Sequence, residues 1–174
     1  MVIRTATEQD LDAVDAIYDA ILTVEEAGLS RIGWIRGVYP TRETAREALQ
    51  RGALYVLEDG GEVRAAAKID QEQPEAYAEA DWTIPAEPHE VLVLHTLVVG
   101  PAIARRGYGR AFVAFYEQEA KRLGCKALRI DTNETNEAAR SLYAKLGYHE
   151  ADVVLCDFNR LANIRLVCLE KAVG

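Results

Sequence analysis

Residues 104–112 read ARRGYGRAF, with Gly107 and Gly109 one residue apart, flanked by Arg105, Arg106 and Arg110 and followed at once by an apolar segment. A glycine-rich turn opening a helix offers free backbone N–H groups and the positive end of the helix dipole, both suited to an anion. Glycine also lets the backbone take positive φ and removes side chains that would block close approach. The arginines add charge at the rim, and a pyrophosphate suits such a cradle. Two nucleotide motifs are excluded. No lysine precedes a serine or threonine as a Walker loop requires, and Phe112 stands where a dinucleotide fingerprint needs its third glycine.

His95 is a second residue with chemistry to offer. It interrupts the apolar run Val91–Val99, and strand alternation predicts that it shares a face with Val91, Val93, Leu97 and Val99. An imidazole titrates near about 6.5 and can accept a proton at neutral pH. The other reading is a core histidine. Glu25, Glu26 and Glu90 are reserve carboxylates, each also explicable as a solvated surface group.

These residues need elements to position them. Val2–Arg4 reads as a strand. Thr7 caps a helix over roughly 8–22, with Leu11, Val14, Ile17, Tyr18, Ile21 and Leu22 on one face. A glycine- and aromatic-bearing segment leads to a helix over 41–50. Two strands follow around Asp59-Gly60-Gly61, and then a long proline-bearing loop over 71–88. EVLVLHTLVV is a central strand, apolar on both faces. The helix after the glycines runs to Leu123 and ends at Gly124. A strand over 127–131, a helix over 136–146 closed by Gly147, and strands near 148–155 and 164–170 complete the chain.

The totals restrict the class. One domain of 174 residues is expected, with 49% hydrophobic and 28% charged residues. No apolar run reaches the roughly 18 residues of a membrane span. The N-terminus lacks a signal-peptide pattern, which predicts a cytoplasmic protein. Cys125, Cys156 and Cys168 are odd in number and widely spaced, as expected of reduced thiols and not of a disulfide framework or a metal site. A formal charge of −8 argues against nucleic acid as a partner.

NEAARSLYAKLGY, residues 136–148, supplies the second motif. Together with VVGPAIARRGYGRAF it resembles the Gcn5-related N-acetyltransferase (GNAT) superfamily, whose members carry a [QR]-x-x-G-x-[GA] loop and a later N-x-x-A-x-x-x-Y-x-x-x-G-[FY] helix. The match is good over 91–148, and the element order fits nearly the whole chain. Ala104 departs from the usual Gln or Arg at the first motif position, removing a side-chain contact and leaving the backbone cradle.

The resemblance implies an α/β (α+β) three-layer fold, with a mixed, mostly antiparallel sheet of six or seven strands, about four flanking helices, and a splay at the central strand. It implies acetyl-CoA as donor and a primary amine, on a small molecule or a peptide, as acceptor, without an acyl-enzyme. The backbone of Leu97, Val98 and Val99 would pair with the pantetheine arm. The N–H groups of Arg105, Arg106, Gly107, Tyr108, Gly109 and Arg110 would hold the pyrophosphate. Asn136 would contact the cofactor, although capping alone also explains it. Tyr143 would face the sulfur as general acid, a role worth about 10²–10⁴-fold; packing is the alternative. Some members carry a histidine at the position of His95 in a base relay. The acceptor groove would be bordered by Trp34, Tyr39, Tyr77, Asp81 and Trp82, which could equally be anchors for two long loops. A homodimer is compatible with the resemblance, as is a non-catalytic module that binds acyl-CoA on the same fold.

Overall fold

In a computed structural model of the protein, residues 1–104 and 106–174 are described. Seven strands form one sheet in the order β1-β2-β3-β4-β5-β7-β6. They are β1 (Val2–Thr5), β2 (Leu54–Asp59), β3 (Glu62–Asp70), β4 (Val91–Val99), β5 (Ala127–Asn133), β6 (His149–Phe158) and β7 (Leu161–Ala172). The four α-helices are α1 (Leu11–Glu26), α2 (Arg42–Gln50), α3 (Tyr108–Leu123) and α4 (Glu137–Lys145). All neighbouring strands are antiparallel except β4 and β5. The mixed, mostly antiparallel sheet and the four helices agree with the expected fold class.

The helices cover the sheet because each presents one apolar stripe. Leu11, Val14, Ile17, Tyr18 and Ile21 of α1 pack with Ala45 and Ala48 of α2 on Val56, Ala66 and Val98. Phe112, Val113, Tyr116 and Ala120 of α3 pack with Tyr143 of α4 on Leu57, Leu92, Leu94, Leu128 and Leu169. The start of α1 lies a turn later than expected. Asp10 closes a short 3₁₀ turn, Glu8–Asp10, accepting from the backbone N–H of Thr7 at 2.7 Å and its hydroxyl at 3.0 Å. The last two strands are longer than expected, running up to a two-residue turn at Asn159-Arg160. Among the described residues no helix is long and apolar enough to cross a membrane.

Two irregularities of β4 create the site. The strand pairs with β5 only from Val91↔Ala127 to Leu94↔Ile130, after which β5 continues on β7 through Asn133. From Thr96 onward β4 is paired only with β3, so its other backbone edge faces a gap. The second irregularity is a bulge. Ala66 opposes Val98 and Lys68 opposes His95, leaving one residue of β3 against two of β4, and Thr96 takes a φ of 51°. The extra residue reverses the alternation. Leu97 and Val99 therefore join Leu92 and Leu94 beneath α3 and α4, while His95 stays with Val91 and Val93 on the other face. The shared face predicted from simple alternation is corrected accordingly.

Candidate active site

The gap beside β4 is the floor of a cleft of about 900 Å³ whose walls include Leu97, Val99, Gly107, Gly109, Asn136 and Tyr143. Gly107 is the N-cap of α3 with a φ of 86°, a conformation that costs glycine little, and a Cβ there would meet only open space. Behind it the N–H groups of Tyr108, Gly109 and Arg110 have no acceptor among the described residues, while that of Ala111 closes the first helical bond onto Gly107 at 2.9 Å. Gly109 serves packing as well. A Cβ there would lie 3.4 Å from Leu142 Cδ2 and 3.9 Å from Val99 Cγ2, so the glycine lets α3 approach α4 and β4.

The side chains of the loop divide by role. Tyr108 is buried and donates to Asp59 Oδ2 at 2.9 Å, leaving its backbone for the cleft. Arg106 and Arg110 are exposed beside the loop, and Arg110 lines the cleft. Arg105 lies outside the described residues. Asn136 caps α4: its Oδ1 accepts from Ala139 N–H at 3.2 Å and its Nδ2 donates to Thr132 Oγ1 at 3.0 Å.

Tyr143 stands on the cleft wall, edge-on to Tyr148 with ring centroids 5.9 Å apart. Its hydroxyl has no hydrogen-bond partner among the described residues. Burial, reinforced by the charge of Asp131, pushes its pKa well up, so the group keeps its proton at neutral pH.

A second cavity of about 410 Å³ opens beside α1 and α2. His95 lines it, with its Nε2 3.2 Å from Asp70 Oδ1 on β3. Burial would raise Asp70, but the hydrogen bond and charge of His95, with Lys68, outweigh it and hold the carboxyl below its ordinary value. Ionised Asp70 therefore accepts Nε2–H and leaves Nδ1 as the nitrogen free to take a proton.

The two cavities share Tyr39, Thr96, Asp131, Phe158 and Asn159. Tyr39 hydrogen-bonds Thr96 and packs edge-on against Trp34, centroid to centroid 5.8 Å, with Trp34 on the wall of the larger cleft. Asp131 accepts from Tyr77 Oη at 2.7 Å. Burial raises its pKa, and the charge of His95 and the Tyr77 hydrogen bond only partly oppose this. A cation arriving at such a carboxylate would restore its ionised form.

The remaining candidates fall elsewhere. Asp81 is exposed and Trp82 lines neither cavity. Trp82 donates to Tyr77 O at 2.8 Å, stacks on Tyr77 and lies 4.1 Å under the Arg129 guanidinium, so it pins the long loop to the sheet. That loop reaches the site through Gln73, Pro74 and Glu75, which line the smaller cavity, and through the Tyr77 hydroxyl on Asp131. Glu25 organises the segment after α1, accepting from the N–H groups of Ile32 at 3.0 Å and Gly33 at 2.8 Å. Glu26 pairs with Arg36 at 2.8 Å and Glu90 with Lys126 at 2.6 Å. None of these three glutamates lines either cavity. Sequence reasoning missed Asp70, Thr96 and Asp131. For Asp131 a signal existed, an acid closing the apolar run Ala-Leu-Arg-Ile of a central strand.

The same architecture recurs among solved structures. A GNAT-family acetyltransferase from Streptococcus agalactiae superposes with a TM-score of 0.81 at 21% identity, over 98% of this chain and 94% of that one. A ribosomal-protein-alanine N-acetyltransferase from Brucella melitensis gives 0.72 at 21%, over 99% of each chain. A protein from Salmonella typhimurium, solved with its cofactor acetyl-CoA, gives 0.70 at 18%, over 100% of this chain and 94% of that one. No curated protein matches by sequence. Residues 17–148, which hold both cavities' central strands, the glycine turn and α4, match the acetyltransferase (GNAT) family, and the chain belongs to that family.

Proposed function

We propose that the protein is an acetyl-CoA-dependent N-acetyltransferase that moves the acetyl group directly to a primary amine, with the whole chain acting as one catalytic domain. One observation carries this reading: the two cavities meet at Tyr39, Thr96, Asp131, Phe158 and Asn159, with Tyr143 lining one and His95 the other. The larger cleft fits the donor. The free β4 edge at Leu97–Val99 suits an arm that pairs like a strand, and the free N–H groups of α3 suit its pyrophosphate.

When bound, acetyl-CoA supplies an activated thioester. Asp131 holds the incoming ammonium at the junction. His95, oriented by Asp70, takes its proton through an ordered water, the freed nitrogen forms the N–C bond as the C–S bond breaks, and the nitrogen then releases its second proton to solvent to become the neutral amide. Tyr143 donates a proton, or a hydrogen bond, to the departing sulfur. The acceptor pocket, at about 410 Å³, suits a small amine or one exposed amine of a peptide. Three free cysteines, two of them buried, support a cytoplasmic setting.

The test is amine-dependent release of CoA thiol, with a panel of primary amines and a peptide N-terminus as acceptors. Release that tracks one acceptor class supports transfer. Tight acetyl-CoA binding with no amine-dependent release from any acceptor would leave a binding module in place of an enzyme.

A further inference from the structure

Three cationic side chains, Arg51, Lys68 and Arg160, line the acceptor pocket, and they are not equivalent. Arg51 is neutralised by Glu72, and Lys68 lies 3.2 Å from Asp70 and 3.0 Å from Glu72. Arg160 has no carboxylate partner among the described residues. Nine of the fourteen described arginines are ion-paired in this acidic chain. Among the described arginines only Arg31, Arg106, Arg110, Arg129 and Arg160 lack an ion pair; Arg106 and Arg110 flank the glycine turn, and Arg129 is buried against Trp82 and Gln73. Glu47 and Glu75 are also unpaired at the pocket and, like Arg160, exposed; at a net charge of −8 surplus hydrated carboxylates are expected, whereas an arginine has many carboxylates to choose from.

The backbone supplies an independent observation. Asn159 and Arg160 form the two-residue turn between β6 and β7, with φ of 52° and 63°. Positive φ at both central positions is what a tight hairpin demands, and asparagine suits the first while glycine is preferred at the second. An arginine there is held against its backbone preference, at the edge of a pocket, as strained residues often are at ligand sites.

Resting on the acetyltransferase reading, we propose that the acceptor is an amino acid, recognised at two points of one pocket: its ammonium by Asp131 at the junction of the cavities and its carboxylate by Arg160, next to Asn159, which lines both cavities. A guanidinium reads a carboxylate with two parallel hydrogen bonds, which gives direction as well as charge. An amine without the carboxylate would keep the first contact and lose the second.

The experiment compares acceptors that differ only in the carboxylate: L-phenylalanine with phenethylamine, L-leucine with isoamylamine, and L-lysine with cadaverine. The expected result is a kcat/KM at least about tenfold higher for the preferred amino acid than for its amine, the loss typical of one charge-assisted contact. Arg160→Gly should bring that ratio toward unity, and Arg160→Lys should keep part of it. Glycine is favoured in this turn, so the glycine variant is expected to melt no lower than the parent, which separates lost recognition from lost folding. Equal or better use of the amines, or an unchanged ratio in Arg160→Gly, would overturn the inference. Acetyl-CoA binding without turnover of any amino acid would overturn it while leaving the donor site standing; a failure to bind acetyl-CoA would overturn the underlying reading itself.

Discussion

In the proposed reaction Tyr143 and the Asp70–His95 pair carry the chemistry, and their surroundings decide what each can do. A phenol that burial keeps protonated, with no partner for its hydroxyl among the described residues, is a proton donor awaiting an acceptor. Tyr143→Phe is therefore expected to lower kcat by about 10²–10⁴-fold while leaving acetyl-CoA affinity nearly intact. Steady-state kinetics beside a direct binding titration check this, and unchanged turnover would remove the tyrosine from the reaction. The imidazole of His95 depends on Asp70 for its orientation. His95→Ala is expected to abolish the rising limb of the pH–rate profile. Asp70→Asn is expected to reduce kcat about tenfold or more with little change in acceptor KM, because it disturbs the tautomer and not the pocket.

Among elements, the segment between α1 and α2 is held in a fixed path along the cleft. Glu25 gathers the Ile32 and Gly33 N–H groups, and Thr135 Oγ1 donates to Arg31 O at 2.9 Å, tying the segment to the end of β5. Gly33 has a φ of 83°, and a Cβ there would meet Asn133 Nδ2 at 2.5 Å. Gly33→Ala is thus expected to cost about 1–3 kcal/mol and to displace Asn133 from the cleft wall. It should melt several degrees lower and bind acetyl-CoA more weakly, as calorimetry with and without ligand would register. A variant with parental melting temperature and affinity would mean that this close approach has no part in shaping the cleft. The bulge in β4 is the other element-scale device. One added residue turns His95 toward one cavity while Leu97 and Val99 line the other.

For the whole molecule, the edge of the sheet is fastened by charge. Arg4 on β1 reaches Asp10 at 2.8 and 2.9 Å and Glu58 on β2 at 2.9 Å. The Arg4 hydrogen bond, opposed by burial and aided by Thr7, lowers Asp10 from 3.8 to about 2. A carboxyl depressed by folding stabilises the fold above its unfolded pKa, and that contribution fades as pH falls through the folded value. Roughly 2 kcal/mol should accordingly be lost between about pH 4 and pH 2. Denaturant unfolding across that range should show the loss in the parent and a flatter dependence in Asp10→Asn. Equal slopes in the two proteins would place the acid sensitivity elsewhere.

Local pattern was enough for much of this protein. Apolar periodicity placed the helices, the Asp59-Gly60-Gly61 turn placed the β2–β3 hairpin, and the paired motifs at 104–112 and 136–148 pointed to the family and its donor cleft, because these features depend on neighbours a few residues apart. The length of β6 and β7 was not legible, since their turn contains Asn-Arg in place of a glycine pair. Nor was the reversal of faces along β4, because a bulge is defined by what lies opposite on β3 and not by the strand's own residues. Trp82 and Tyr77 look equivalent as aromatics in one loop, yet only Tyr77 reaches Asp131. Asp131, Asp70 and Arg160 become a site only through tertiary structure. They come from two strands and a turn far apart in the chain, and it is the divergence of β4 from β5 that brings Asp131 and Arg160 to one opening, with Asp70 behind His95.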